Sequence, residues 1–234
     1  MRAVLLCAGR GRRFEGALGN RPKVLIEVAP GLTLLERHLA IFDRVLDGVT
    51  LVVGYEQQQI REAAPGADFA HNPRFTEGSM ISLLAAAEVL ERETCIVMDA
   101  DVLYGEGMYR RLCESPHDDA VLFDAAFLDD EMRIGLIDGR VRHLSKKLVN
   151  SDYEAVGRGP GFYKVSPAWG ARLVETMRAM DAEGLGHVEY EDAMNRTFEA
   201  VEVRPVPTAG DPWTEIDHNQ DLRRAREEIW PRLR

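Results

Sequence analysis

The chain has 234 residues and a formal charge of −10, from 29 Lys and Arg against 39 Asp and Glu. That length supports a sizeable α/β core. The acidic balance excludes the broad basic face a duplex nucleic-acid binder needs, although a few local cations suffice for a small anion. Apolar residues at 45% and charged residues at 29% exclude disordered, collagen-like and low-complexity classes.

Apolar runs that read as buried strands alternate with helical patterns, the pattern of a mostly parallel sheet covered on both faces. Residues 3–8 form the first expected strand and run into a loop rich in Gly and Arg. Over 32–46 the spacing of Leu34, Leu35, Leu39, Ile41, Phe42 and Val45 predicts a helix, with Thr33 as N-cap and Glu36 three residues on. A strand over 49–53, a short helix over 57–64, a strand over 67–71 and a helix over 79–92 follow. A fourth strand, 94–98, delivers the chain into Asp99-Ala100-Asp101. Residues 120–128 and 132–144 alternate in polarity around Asp138-Gly139, a strong hairpin signal. A strand over 157–165, a helix over 167–183, a last strand over 201–206 and a helix over 219–232 complete the series. The expectation is a single domain over 1–234: an α/β, Rossmann-like, mixed but mostly parallel sheet with helices on both faces and a β-hairpin elaboration.

No apolar run approaches the ~20 residues of a membrane span and none fits a signal peptide, so a cytoplasmic location is expected. Cys7, Cys95 and Cys113, odd in number and set among apolar residues, read as reduced core thiols.

In open α/β sheets ligands collect at the carboxyl ends of strands, so the residues following each strand carry the functional information. After the first strand, Ala8-Gly9-Arg10-Gly11-Arg12-Arg13 offers glycines for close backbone approach, and amides and guanidiniums to surround a polyphosphate; Lys23 lies ten residues past Arg13. The loop lacks the Gly-Lys-Ser/Thr end of a P-loop and the strict GxGxxG dinucleotide spacing. Asp99 and Asp101 end the fourth strand and are expected to point to opposite faces, so that only one of the two meets a metal in the cleft. Glu215 and Asp217 form a second acidic group ahead of a helix. Hard oxygen ligands from two distant segments suit Mg²⁺, which fills its remaining positions with water and phosphate.

AGRGRRF at 8–14, PKVL at 22–25, DADV at 99–102, GFY at 161–163, WTEID at 213–217 and DLRRA at 221–225 occur in an order and spacing that resemble the nucleotidylyltransferase family, related to the nucleoside-diphosphate-sugar pyrophosphorylases. The short length, Ser145-Lys146-Lys147 and the EID ending resemble most closely the bacterial phosphocholine and aminoethylphosphonate cytidylyltransferases. The resemblance implies the nucleotide-diphospho-sugar transferase fold and a Mg²⁺-dependent transfer of CMP from CTP to a small phosphate or phosphonate acceptor. It implies phosphate contacts from Lys23 and Arg13, and nucleotide contacts from Ala8, Gly9, Gly11, Glu77, Gly78, Ser79, Ser82 and Asp99. Asp101 and Asp217 would hold Mg²⁺. Lys146 or Lys147 would hold the acceptor phosphate, and Tyr190, Asp192 and Glu215 would surround a cationic head group. Neither nucleic acid nor a membrane is an expected partner; a homodimer is compatible with the pattern. Two rival readings are a sugar-1-phosphate nucleotidylyltransferase using UTP, dTTP or GTP, and a non-catalytic nucleotide-binding protein, which would have no need of the metal acids. Cys7 replaces the usual small Ala, and the Gly78-Ser79-Met80 segment departs from the Asn-containing version of the phosphocholine enzymes. Arg10 and Arg12 add charge without an assigned task.

Overall fold

The apolar run after Arg2 becomes an inner strand of the central sheet in the computed structural model, which describes residues 1–11, 14, 19–126 and 132–233. This strand, β1 (Arg2–Leu6), pairs in parallel with β4 (Gly48–Val53) on one side and β6 (Cys95–Asp99) on the other. β5 (Asp68–His71) extends the parallel half beyond β4. Past β6, β12 (Phe162–Val165) runs antiparallel to both β6 and β8 (Ala120–Phe123), and β13 (Arg204–Pro207) closes the edge parallel to β8. The seven strands therefore lie in the order β13-β8-β12-β6-β1-β4-β5. Pro205 and Pro207 sit on an edge strand, where a missing N–H breaks no inner ladder.

Alternation along the strands sorts the core into two layers. Val4, Val52, Val97, Val121 and Tyr163 face one side, against α3 (Ser79–Leu84), α4 (Ala87–Arg92), α6 (Pro167–Ala182) and α7 (Tyr190–Asn195). Leu5, Leu51, Met98, Leu122 and Phe162 face the other, against α1 (Leu34–Val45), α2 (Gln57–Ala63) and α5 (Glu106–Cys113). α1 begins as its sequence signals: the Thr33 hydroxyl accepts from the Glu36 N–H at 3.2 Å and the Glu36 carboxylate accepts from the Thr33 N–H at 2.7 Å. The three cysteines are buried and free, and burial pushes the Cys95 and Cys113 thiols up to about 12.

The Asp138-Gly139 hairpin forms as expected. β9 (Arg133–Ile137) and β10 (Arg140–Leu144) flank a turn in which Asp138 has φ 53° and Gly139 φ 64°, the left-handed pair a type I′ turn requires. β11 (Ala155–Arg158) completes this small sheet. The Asn195 amide clamps it to α7, donating to the Leu144 carbonyl at 2.9 Å and accepting from the Leu144 N–H at 2.8 Å.

Several boundaries differ from expectation. The strand expected over 157–165 is two strands in different sheets, divided at Gly159-Pro160-Gly161; Gly161 has φ 72°, which ends the extended run. The helix over 79–92 breaks at Ala85-Ala86. The apolar run 120–128 forms strand only over Ala120–Phe123, and 127–131 lie outside the described residues. The strand over 201–206 is displaced to Arg204–Pro207 and is not the last. β14 (Trp213–Glu215) follows it and pairs antiparallel with β7 (Val102–Tyr104). The C-terminal helix is α only in α8 (Asn219–Arg224), continuing as a π turn over Ala225–Ile229 and a 3₁₀ turn over Trp230–Leu233. A short hairpin of β2 (Glu27–Ala29) and β3 (Leu32–Thr33) completes the list. These small strands have too few residues for a period to be legible, and α5 and α7 are only two turns or so long. No helix among the described residues is long and apolar enough to cross a membrane.

Candidate active site

Three segments converge beyond the carboxyl ends of β1 and β6. The β7–β14 pair carries the third: Glu215 is opposite Val102, and the Ile216 N–H donates to the Asp101 carbonyl at 2.9 Å, which brings Asp217 beside Asp101. Lys23 enters from a 3₁₀ turn, Lys23–Leu25, and packs beneath Gly11, whose φ is 60°. Its ammonium donates to Asp101 Oδ2 at 2.7 Å and to Asp217 Oδ1 at 2.6 Å. Burial opposes the Lys23 charge, but the two carboxylates outweigh it and hold the pKa above the ordinary lysine value.

Two cavities share the β6 end. The first, of about 130 Å³, lies against Cys7, Gly9, Gly11 and Lys23; the second, of about 250 Å³, lies against Ser79, Lys146, Glu189, Tyr190, Glu191, Glu215 and Asp217; Asp99 and Asp101 border both. Asp99 and Asp101 therefore do not point to opposite faces, and both meet the cleft. Residues two apart share a face of a strand, and the turn after β6 keeps them together. A larger hollow of about 560 Å³ lies at the opposite end of β4, beside Gly48 and Val49, and is mainly apolar apart from Asp43 and Asp47.

The second cavity has the charge pattern of a cation site. The Tyr190 hydroxyl donates to Asp99 Oδ2 at 2.9 Å. Burial, together with the charges of Asp101 and Glu191, pushes the Asp99 carboxyl well above the usual carboxylate range. Burial likewise raises Glu191 to about 7, with Glu189 adding to the shift. Both lysines of the turn after β10 are exposed, but only Lys146 lines the same cavity and brings positive charge to it.

Other expected residues have different tasks. Asp192 is exposed and absent from the cavity lining: it caps α7, accepting from the Glu189 N–H at 3.3 Å, while Glu191 takes the inward position. The Tyr190 ring is buried edge-on to Tyr163, with centroids 5.8 Å apart, so only its hydroxyl end serves the site. Gly78 does not leave its N–H for a base, since it donates to the Gly186 carbonyl at 2.9 Å; a Cβ there would stand 1.9 Å from the Val188 oxygen, so glycine is required for the close approach of this segment. Glu77 pairs on the surface with Arg74, and the buried Ser82 hydroxyl accepts from Asn72 Nδ2 at 3.0 Å. Ser79 lines the cavity, with its hydroxyl donating to Glu189 and accepting from the Tyr190 N–H at 3.0 Å. Ala8 is buried and its carbonyl accepts from the Tyr55 N–H at 3.0 Å, while Gly9 is open. Trp213 is covered by the Arg158 guanidinium, 4.4 Å from the ring centroid. Arg10 lies 5.7 Å from the Tyr55 ring centroid and 5.5 Å from that of Phe75. Arg12 and Arg13 lie outside the described residues.

Glu189 and Glu191 are the site residues the sequence reading passed over in favour of Asp192. A signal was present: Glu189 and Asp192 have capping-box spacing, which turns the third helical residue back toward the N-cap.

Among the described residues no three His, Cys, Asp or Glu side chains form a metal-holding group by themselves. Asp101 and Asp217 nevertheless converge on one cationic atom, and two hard carboxylates suit Mg²⁺ when a phosphate ligand and water complete its shell.

The chain resembles several known proteins. The chain is 31% identical over 97% of its length to the bifunctional IPC transferase and DIPP synthase of Rubrobacter xylanophilus, of which the match covers 51%. Over 52% of its length it is 32% identical to the CMP-5′-(3-aminopropyl)phosphonate synthase of Streptomyces rubellomurinus, covering 20% of that protein. The chain thus spans about half the length of the first of these relatives and less of the second. Its fold is that of the CTP:phosphocholine cytidylyltransferase of Streptococcus pneumoniae, with a TM-score of 0.80, 20% identity and coverage of 97% of both chains. Residues 3–188 match the MobA-like NTP transferase domain, and the chain belongs to that family.

Proposed function

We propose that the protein transfers CMP from CTP to a small phosphate or phosphonate acceptor carrying a cationic group, with release of pyrophosphate. The observation that carries this reading is the pair of cavities meeting at Asp99 and Asp101: one bordered by the glycine loop and Lys23, the other by Glu189, Glu191, Glu215 and Lys146. An acceptor oxygen attacks the α-phosphorus of CTP; the new P–O bond forms as the bond to the β-phosphate oxygen breaks, and that oxygen leaves in line with pyrophosphate. The acceptor oxyanion is already deprotonated near neutral pH, so no general base is needed. The barrier is set by placement and by repulsion between two anions.

Lys23, together with Arg13, neutralises the triphosphate. Asp101 and Asp217 hold Mg²⁺, which when bound offsets phosphate charge. Lys146 receives the acceptor phosphate, and the buried carboxylates of the second cavity receive its cationic end. Cytosine as the base is supported by the CMP and CTP named for the phosphonate synthase and the phosphocholine enzyme. Pyrophosphate release with CTP, UTP, dTTP and GTP against phosphocholine, 2-aminoethylphosphonate and glucose 1-phosphate tests the reading. Release with CTP and an amine acceptor is expected. Release confined to the sugar phosphate would overturn the acceptor class, and none with any pair would overturn the activity.

A further inference from the structure

The turn that carries Asp99 and Asp101 is held from below by a residue that touches neither cavity. His38, in the middle of α1, is completely buried. Its ring lies between Phe42 and Tyr104, with centroids 5.9 and 5.5 Å away and near-parallel planes. Nε2 is 3.0 Å from the Ala100 carbonyl oxygen and Nδ1 is 3.4 Å from the Tyr104 hydroxyl. A carbonyl can only accept, so Nε2 carries the proton and Nδ1 presents its lone pair to Tyr104. Burial lowers the His38 pKa to about 4, in keeping with a neutral ring.

The Ala100 carbonyl belongs to the peptide joining Ala100 to Asp101, one residue past Asp99. The next carbonyl, that of Asp101, is taken by the Ile216 N–H at 2.9 Å. The turn thus has two anchors: one from β14, which sets Asp217 beside Asp101, and one from α1, packed in the same core layer as Ala100. Without the second, a buried carbonyl loses its donor and the peptide plane is free to rotate toward another. Asp101 follows that peptide directly and Asp99 lies one residue before it, so a rotation there changes the direction of Asp101 and its spacing from Asp99.

We infer that His38 is a positioning residue: its Nε2–H, bonded to the Ala100 carbonyl, sets the spacing and direction of Asp99 and Asp101 for the divalent cation and the two substrates. This rests on the proposed function for the identity of the substrates, but its geometry is independent of them. No ionisation of His38 is involved, and His38 contacts no reacting atom.

Two substitutions of equal length separate the hydrogen bond from packing. His38→Gln places an amide N–H where Nε2 stands; His38→Met fills the same apolar space and offers no donor. Mn²⁺ binding followed by electron paramagnetic resonance, thermal melting, and kcat and KM for pyrophosphate release would be measured on wild type and both variants. The Met variant is expected to melt within about 5 °C of wild type, bind Mn²⁺ roughly tenfold more weakly and lose roughly 10- to 100-fold in kcat, as a misplacement on the order of 1 Å implies, with KM for CTP little changed. The Gln variant should recover most of both losses. Equal Mn²⁺ affinity in the Met variant and wild type, a Gln variant no better than Met, or a wild type that binds no Mn²⁺ would each overturn the inference. If the expected Mn²⁺ differences appear and no protein releases pyrophosphate from CTP, the proposed function fails while the positioning role stands.

Discussion

Lys23, half-buried, and Glu191, buried, border the two cavities that Asp99 and Asp101 share, in opposite electrostatic conditions. On the loop side, Lys23 is bracketed by Asp101 and Asp217 at 2.7 and 2.6 Å, and burial is more than offset. On the acceptor side, Glu191 shares its cavity with Asp99, Glu189 and Glu215, and burial together with neighbouring charge pushes its carboxyl to about 7. The first side is preorganised by its own counter-charges. The second stores unfavourable charge that a cationic ligand would relieve, an arrangement that costs stability to secure binding.

The largest expected effect comes from the shared border. Asp101→Asn should lower divalent-metal-dependent kcat by on the order of 10²- to 10³-fold, as removal of a transition-state electrostatic contact does, while melting stays close to wild type because Lys23 keeps Asp217. Near-normal turnover would remove Asp101 from the metal site.

Glu191→Gln probes the acceptor side and should raise KM for an amine acceptor roughly tenfold, a difference of about 1.4 kcal/mol, while KM for CTP holds. In wild type that KM should fall as pH rises through about 7, where Glu191 ionises. In the variant it should be flat through that range. Stability runs the other way. A carboxyl whose folded pKa is raised binds its proton more tightly in the native state, so its contribution is fully present below the unfolded value of 4.5 and is lost as pH rises through about 7. The Gln variant should therefore out-melt wild type at pH 8 and lose that advantage near pH 5; a melting curve with the same pH dependence in both proteins would refute the charge account.

The smallest effect is reserved for the neighbour on the other face. Asp192→Ala should lose about 1 kcal/mol of stability through the α7 cap and leave acceptor KM within about twofold, measured by melting and initial rates. A large rise in KM would return Asp192 to the pocket.

The loop side was legible in the sequence, and the acceptor side was legible at Lys146, Tyr190 and Glu215 but not at Glu189 and Glu191, for a physical reason. Gly9, Gly11, Asp99 and Asp101 follow recognisable strands, where ligands gather, while Lys23 and Asp217 are picked out by the PKVL and WTEID motifs that carry the resemblance. Within His187-Val-Glu-Tyr-Glu-Asp192, Glu189, Tyr190 and Glu191 line the cavity and Asp192 does not, and that choice turns on the phase of a helix only six residues long, too short to show a period. Gly78 was read as a base contact, but its meaning lies in Val188, over a hundred residues away.

Composition and alternation by themselves determined the layered sheet, the buried thiols, the hairpin at Asp138-Gly139 and the glycine loop with its cation and acids, because each follows from local sequence and solvent exclusion. Tertiary structure alone decided that Glu191 rather than Asp192 turns inward, that Gly78 packs against Val188, and that His38 reaches the Ala100 carbonyl. Those outcomes depend on contacts between segments 60 to 120 residues apart, or on the rotation of one helix against its neighbours, and neither leaves a periodic trace along the chain.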